Sequence, residues 1–252
     1  MANFPGLVVF SAAMGFSIYL SLPIVLAKSF RSRTVILLNA VAIGILVFLL
    51  ADVFADAATI IYPSGSYVAN WSYASVFVVG VAACFVLLFF SEHRSEGAAL
   101  SPRALALVVA GAIGFQNLTE GLVFGATWAA GIVGLWAVIF LGFFLQNVTE
   151  GFPIASPLIG KNERRIGVLV ALFFVGGIPT VIGSVVGYYY NSSILDVTFD
   201  ALAIGAILYV VLPMLRSAFR PADTPSASYL KQRLTYAGVL AGFLIGFLVN
   251  AL

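Results

Sequence analysis

The sequence predicts an all-α polytopic membrane protein, an eight-helix transmembrane bundle forming a single domain over residues 1–252. Three observations carry this. The composition is 62% hydrophobic and only 9% charged, with 22 Phe, outside the range of soluble globular domains. Eight apolar runs are long enough to cross a hydrocarbon core of about 30 Å, which takes roughly 20 helical residues. All 12 basic residues fall on alternate connections between those runs.

The runs cover approximately 5–27, 35–62, 71–91, 103–126, 131–157, 166–190, 197–216 and 234–252. They are long and nearly continuous rather than short and alternating. Helices are therefore the spanning form, because lipid offers no hydrogen-bond partner to an open strand edge. Lys28, Arg31 and Arg33 lie between spans one and two, and Arg94 and Arg103 between three and four. Lys161, Arg164 and Arg165 lie between five and six, and Arg216, Arg220, Lys231 and Arg233 between seven and eight. Cytoplasmic loops retain Lys and Arg, so these connections are expected inside and both termini outside. The net charge of +2 then has a topological origin, and no nucleic-acid partner is implied. Met1 to Pro5 lacks the basic region of a cleaved signal, so the first span is expected to stay in the mature protein.

Small and cyclic residues mark where the bundle packs or bends. Gly238, Gly242 and Gly246 recur every four residues in the last span and are expected to let another helix approach closely. Pro153, Pro157 and Pro179 are expected to interrupt spans five and six and to free backbone carbonyls. The one cysteine, Cys84, sits in an apolar run, which leaves no disulfide framework and no Cys-based metal or redox motif.

One hexapeptide occurs twice, as Gln116-Asn117-Leu118-Thr119-Glu120-Gly121 and Gln146-Asn147-Val148-Thr149-Glu150-Gly151, in consecutive spans. At about 100° per residue, the Gln, Asn and Glu of each copy fall within one arc and can point at one place. The two spans run in opposite directions, so the copies can face each other as in the midplane sites of inverted-repeat transporters. An intramembrane carboxylate costs about 2.5 to 3.5 kcal/mol on insertion scales, and a pair of them calls for a positive charge between. Two glutamates balance one divalent cation, and four amide carbonyls can complete a shell of about six oxygens. The competing reading is interhelical hydrogen bonding by the same groups. The two Asn-x-Thr matches to a glycosylation acceptor are accidental if the spans are right.

These motifs resemble those of the ZIP family of metal transporters, whose fourth and fifth spans carry related His/Gln-Asn/Asp-x-Pro-Glu-Gly sequences around a binuclear metal site. The similarity extends to eight spans, outside termini, acidic residues late in span two, a Gly/Pro-rich span six and a Gly-rich span eight. It implies that Gln116, Glu120, Gln146 and Glu150 form a primary metal site, and that Asn117 and Asn147 form a secondary one with the shared glutamates. It also implies a homodimer. The chain departs from the family pattern in having Gln116 where His is usual, Thr119 and Thr149 where the motifs have Pro, and Ile178 where an acidic residue often precedes Pro179. Amide oxygens are harder and weaker ligands than imidazole, so the site is expected to hold Zn²⁺ less tightly than a His-bearing relative and to favour Mn²⁺, Fe²⁺ or another hard cation.

Asp52 and Asp56 share a face of span two toward its outer end, and Asp200 lies early in span seven. These three are candidates for an outer path that draws cations in; the alternative is that they are hydrated at the interface. His93, the only histidine, reads as a solvated loop residue without a metal role. The expected function is a divalent transition-metal transporter moving Zn, Fe or Mn toward the cytoplasm, with the metal ion as substrate and no prosthetic group. A gated cation channel and a transport-deficient metal-sensing relative are the alternatives. No span carries a Lys for a retinal Schiff base or a His for haem, a hydrolase or catalytic zinc, so enzymatic readings are set aside. The expected location is the cell membrane.

Overall fold

The computed structural model describes residues 4–26, 32–63, 66–93, 100–131, 133–159, 165–190, 192–222 and 224–251. Lys28, Arg31, Arg94, Lys161, Arg164 and the side chain of His93 lie outside the described parts. The described residues form helices and short connections with no strand. The first helical segment, α1 (Phe4–Val25), is an α-helix over Phe4–Phe16, a 3₁₀ stretch over Ser17–Ser21 and a last α-turn, Leu22–Val25. It is followed by α2 (Ser32–Ile61), α3 (Trp71–His93), α4 (Pro102–Ala130), α5 (Val133–Ala155), α6 (Ile166–Tyr189), α7 (Ser193–Phe219) and α8 (Pro225–Asn250). Among the described residues, seven helices are long and apolar enough to cross a membrane, and the chain is an integral membrane protein. The remaining helix, α5, is 23 residues long and touches α1, α2, α4, α6 and α8.

Helix starts follow local chemistry more closely than hydropathy. The last helix begins at Pro225, well before the expected 234, because Thr224 caps it by accepting from the Ala227 N–H at 3.3 Å and proline suits the first helical position. Its first turns are polar and read as loop on a hydropathy scale. Ser101 and Pro102 start α4 in the same way, the Ser101 hydroxyl accepting from Ala104 N at 3.2 Å. At the other end of α4, Gly131 takes a left-handed φ of 71°, a conformation that glycine adopts without strain. Thr224→Ala is expected to cost about 1 kcal/mol of local stability, seen as faster amide hydrogen exchange in the first turn of α8.

The prolines behave differently from expectation. Pro153 and Pro179 lie inside continuous helices, as does Pro213 in α7, and Pro157 sits in the 3₁₀ turn Ser156–Leu158 that ends α5. In a bundle, neighbouring helices and hydroxyls supply partners for the backbone groups that proline releases, so the helix continues. The real interruption is the 3₁₀ stretch of α1. There Ser17 donates to Met14 O at 2.8 Å and to Phe144 O of α5 at 2.7 Å, and Ser21 donates to Ile18 O at 2.8 Å.

Glycines set the helix contacts, since lipid removes the hydrophobic drive between helices and leaves close packing. Gly242 and Gly44 bring α8 against α2 backbone to backbone, as the glycine stripe predicts. A second interlock joins α4 to α6 through Gly121, Gly125, Gly183 and Gly187. The motif glycines belong to these contacts: Gly121 meets the Thr180 carbonyl of α6, and Gly151 meets Ser21 of α1. The helix pairs also repeat under the exchange of α1 with α6, α2 with α7, α3 with α8 and α4 with α5. Thus α1 touches α5 as α4 touches α6, α3 touches α7 as α2 touches α8, and α2 touches α5 as α4 touches α7.

Among the described residues, basic side chains gather at one end of the bundle. A cavity of about 430 Å³ is lined by Asn39, Pro102, Ser156, Ser217, Lys231 and Thr235, which gathers the starts of α2, α4 and α8 and the ends of α5 and α7 at one end. Of the described basic residues, Arg33, Arg103, Lys231 and Arg233 belong to those starts, Arg216 and Arg220 to the end of α7, and Arg165 directly precedes α6. Lys231 also donates to Ser217 O at 3.1 Å and Arg220 O at 2.8 Å, satisfying carbonyls at the terminus of α7.

Candidate cation site between the two repeated motifs

The connection at Gly131 reverses the chain and sets α4 beside α5, so the two hexapeptides meet. All six residues singled out from them are buried, with at most 6% exposure at Glu120 and none at Asn117, Asn147 and Glu150. Gln116 donates from Nε2 to Oε1 of Glu120, one turn on, at 3.1 Å. Gln146 reaches across from α5 to the same Oε1 at 2.8 Å and also lies within hydrogen-bonding reach of Glu150. Asn117 is a hub. Its Nδ2 faces Asn147 Oδ1 at 2.8 Å, Glu150 Oε2 at 3.0 Å and the Gly176 carbonyl of α6 at 2.9 Å. Asn147 completes the clasp by donating to Phe143 O at 2.9 Å.

Each carboxylate thus receives amide N–H groups on one oxygen, and its other oxygen is left over. Glu120 Oε2 and Glu150 Oε1 have no hydrogen-bond partner, nor have Oε1 of Gln116, Oδ1 of Asn117 and Oε1 of Gln146. Five buried acceptors without donors, all in one network, is a large departure from the near-complete pairing of buried polar atoms. An unpaired buried polar atom costs about 1 to 3 kcal/mol, and charged groups more. A surplus of donors would have called for an anion; a surplus of acceptors with two carboxyl groups calls for a cation.

The surroundings add negative charge. Glu120 lies within electrostatic range of Glu150, Asp52 and Asp56, and Glu150 within range of Asp52. Asp200 is within range of Asp56, Asp196 and Asp52. Among the described residues, the charges acting on these groups are all carboxylates. Asp52 and Asp56, candidates from sequence for an outer path, are thus within electrostatic range of Glu120, and Asp200 is within range of both. Asp52 accepts a hydrogen bond from Asn250 Nδ2 of α8 at 2.7 Å. No group of three or more His, Cys, Asp or Glu side chains able to hold a metal exists among the described residues, so any cation here depends on the amides as well as on the two glutamates.

Four contributors escaped the sequence reading. Gly176 acts through its carbonyl, which no side-chain pattern reveals. Asn250 reads as a terminal polar residue. Thr119, taken as a departure from a motif, comes within hydrogen-bonding reach of Asp200. Asp196 was legible: it stands four residues before Asp200, the spacing of Asp52 and Asp56.

The clasp has its own stability consequence. Asn117→Ala removes the donor that serves Asn147 Oδ1, Glu150 Oε2 and Gly176 O together, and at about 1 to 3 kcal/mol for a stranded buried acceptor a clear drop in Tm of the detergent-solubilised protein is expected. An unchanged Tm would show the hub to be dispensable. No protein-family model matches the chain, and no curated protein matches it.

Proposed function

We propose that the protein is a ZIP-like carrier of divalent transition-metal cations, with one cation held between Glu120 and Glu150 and completed by the amide oxygens of Gln116, Asn117 and Gln146. The observation that carries this reading is the set of five unpaired buried oxygens, two of them carboxylate, contributed by both motif copies. In this reading the bundle has eight spans with both termini outside, and its repeating helix pairs reflect two halves inverted in the membrane. The cavity of about 430 Å³ at the basic end receives released metal on the cytoplasmic side. The hard, His-free ligand set favours Mn²⁺ or Fe²⁺ over Zn²⁺. The protein acts in the cell membrane, as a homodimer by resemblance, and performs no enzymatic step.

Binding exchanges partners instead of creating a site from nothing. The free oxygens take the cation, while Gln116, Gln146 and Asn117 keep donating to the other carboxylate oxygen and fix its direction. Opening toward the basic end then lets water compete for the metal.

The amide clasp favours a second reading, in which Asn117 and Asn147 hold α4, α5 and α6 together in a protein that no longer transports. Reconstitution in liposomes separates the two. Uptake of Zn²⁺, Mn²⁺, Fe²⁺, Co²⁺ and Cd²⁺ is compared between the native chain and Glu120→Gln plus Glu150→Gln. Saturable uptake of at least one metal that vanishes in the variant is expected. Uptake of every metal that is absent from the native chain, or unchanged in the variant, sinks the carrier reading.

A further inference from the structure

The cavity of about 430 Å³ at the basic end has the opposite chemistry to the glutamate pair. None of its described lining residues is acidic, and the one charged side chain among them is Lys231. Lys231 gives two hydrogen bonds to Ser217 O and Arg220 O, and the third N–H of its ammonium is left to offer. Thr235 lies one turn further along α8 and lines the same cavity. It is fully buried, and its Oγ1 has no hydrogen-bond partner. Thr127, Thr198 and Ser184 all return their hydroxyls to the carbonyl one turn back, the usual outlet inside a helix; Thr235 does not. On the facing helix α2, Asn39 accepts from Ser156 Oγ at 3.0 Å through its carbonyl oxygen, so its amide has N–H groups to give. The first turn of α4, at Pro102 and Leu105, adds the positive end of a helix.

Donors in surplus beside a positive charge call for an anion, and charge-assisted bonds of this kind are the strong ones. The other walls are apolar. Ile36 and Ile43 share the Asn39 face of α2, with Leu105 of α4 and Met214 of α7 around them. The volume is that of a small-ligand pocket, about 300 to 1,000 Å³. A bare inorganic ion would leave those walls uncovered, whereas a phospholipid carries an oxyanion and an apolar tail side by side. Arg33, Arg103, Arg216, Arg220 and Arg233 gather at the same end, and basic pockets between membrane helices attract anionic headgroups.

We propose that this cavity binds an anionic phospholipid, its phosphate taken by Lys231, Thr235 and the Asn39 amide and its tail laid against Ile36, Ile43, Leu105 and Met214. The site stands without the carrier reading. Within that reading the lipid anion offsets the Lys231 charge, which otherwise repels a dication arriving at the basic end. The Ser156–Asn39 bond also ties the headgroup's neighbour on α2 to the turn that ends α5, the helix of the second motif.

Phosphatidylglycerol is the probe and phosphatidylcholine its zwitterionic control. Each is titrated into the full chain in detergent, and bound lipid is read by native mass spectrometry. One phosphatidylglycerol is expected to bind with about tenfold preference over phosphatidylcholine. Thr235→Val removes a hydroxyl that has no partner in the fold. It is expected to keep the native Tm and to bind phosphatidylglycerol about tenfold more weakly, the scale of one hydrogen bond to a charged group. Thr235→Ser is expected to restore binding, and Lys231→Met to lose the preference for the anionic lipid. Should Lys231→Met fail to fold for want of its bonds to the end of α7, the Thr235 pair still decides. Equal binding of the two lipids, or equal binding of phosphatidylglycerol by the native chain and Thr235→Val, overturns the proposal. A rise in Tm with inorganic phosphate that disappears in Thr235→Val, without any lipid preference, assigns the cavity to a soluble anion and overturns the lipid. The readout is binding, so failure here leaves the carrier reading intact, and absence of metal uptake leaves this site intact.

Discussion

The Glu120→Gln, Glu150→Gln protein is expected to lose metal uptake by about a thousandfold while melting no lower than the native chain. Removing one member of a buried, hydrogen-bonded charge contact costs about 2 to 5 kcal/mol. Two such losses amount to at least about 4 kcal/mol, and every 1.4 kcal/mol is a factor of ten. Stability moves the other way for a reason visible in the hydrogen bonds. Gln116 and Gln146 both donate to Glu120 Oε1, and Asn117 donates to Glu150 Oε2. A glutamine carbonyl accepts the same bonds, more weakly than a carboxylate, and its NH₂ takes the position of the carboxylate oxygen that has no donor. The new N–H groups then face the unpaired oxygens of Gln116, Gln146 and Asn117, and two buried charges are gone. A variant that is as stable or more stable but inactive marks residues kept for function at a cost to the fold. A large fall in Tm, measured in detergent without added metal, would falsify this account, because it would mean that the carboxylates hold the helices together.

Gly183→Val is expected to abolish a monodisperse folded protein, whereas Gly142→Ala and Gly167→Ala are expected to leave it intact or slightly stabilised. A Cβ at Gly183 runs into the Leu118 carbonyl oxygen and comes within 3.1 Å of the Gly121 Cα. Both obstacles are backbone, which cannot rotate aside. The same α4–α6 contact carries Asn117 to the Gly176 carbonyl, so forcing the helices apart also opens the clasp. Overpacking a well-fitted contact costs about 1 to 3 kcal/mol or more, and valine adds two methyl groups beyond the Cβ. By contrast, a Cβ at Gly142 or Gly167 meets nothing within 4 Å among the described residues. There the helix preference for alanine over glycine, about 0.5 to 1 kcal/mol, is all that remains. Size-exclusion profiles and melting of the three variants test the ordering. A well-behaved Gly183→Val would mean that the interlock is loose.

Within the site, what was legible and what was not follows the range of each interaction. Gln, Asn and Glu at relative positions 0, 1 and 4 share a helix face by geometry alone, and the structure brings both copies together. The pairing of Asp200 with Thr119 was hidden, because α4 and α7 are distant in sequence and neither residue belongs to a shared pattern. The start of α8 departs from the hydropathy expectation for a different reason: hydropathy averages over many residues, while a Thr-Pro cap acts over four. Pro153 and Pro179 suggest breaks from sequence because proline removes one hydrogen bond locally, but in a bundle neighbouring helices decide whether the helix continues.

Residence in a membrane, the helical form of the chain and the candidate carboxylates were determined by the sequence itself. Each depends on the type or local spacing of residues, and lipid leaves the backbone few alternatives. Which oxygens remain without donors was decided only by the tertiary structure. An amide can turn toward a neighbour on its own helix, on the next helix or on a third, and the choice rests on distances that exist only once α4, α5 and α6 are locked together through their glycines.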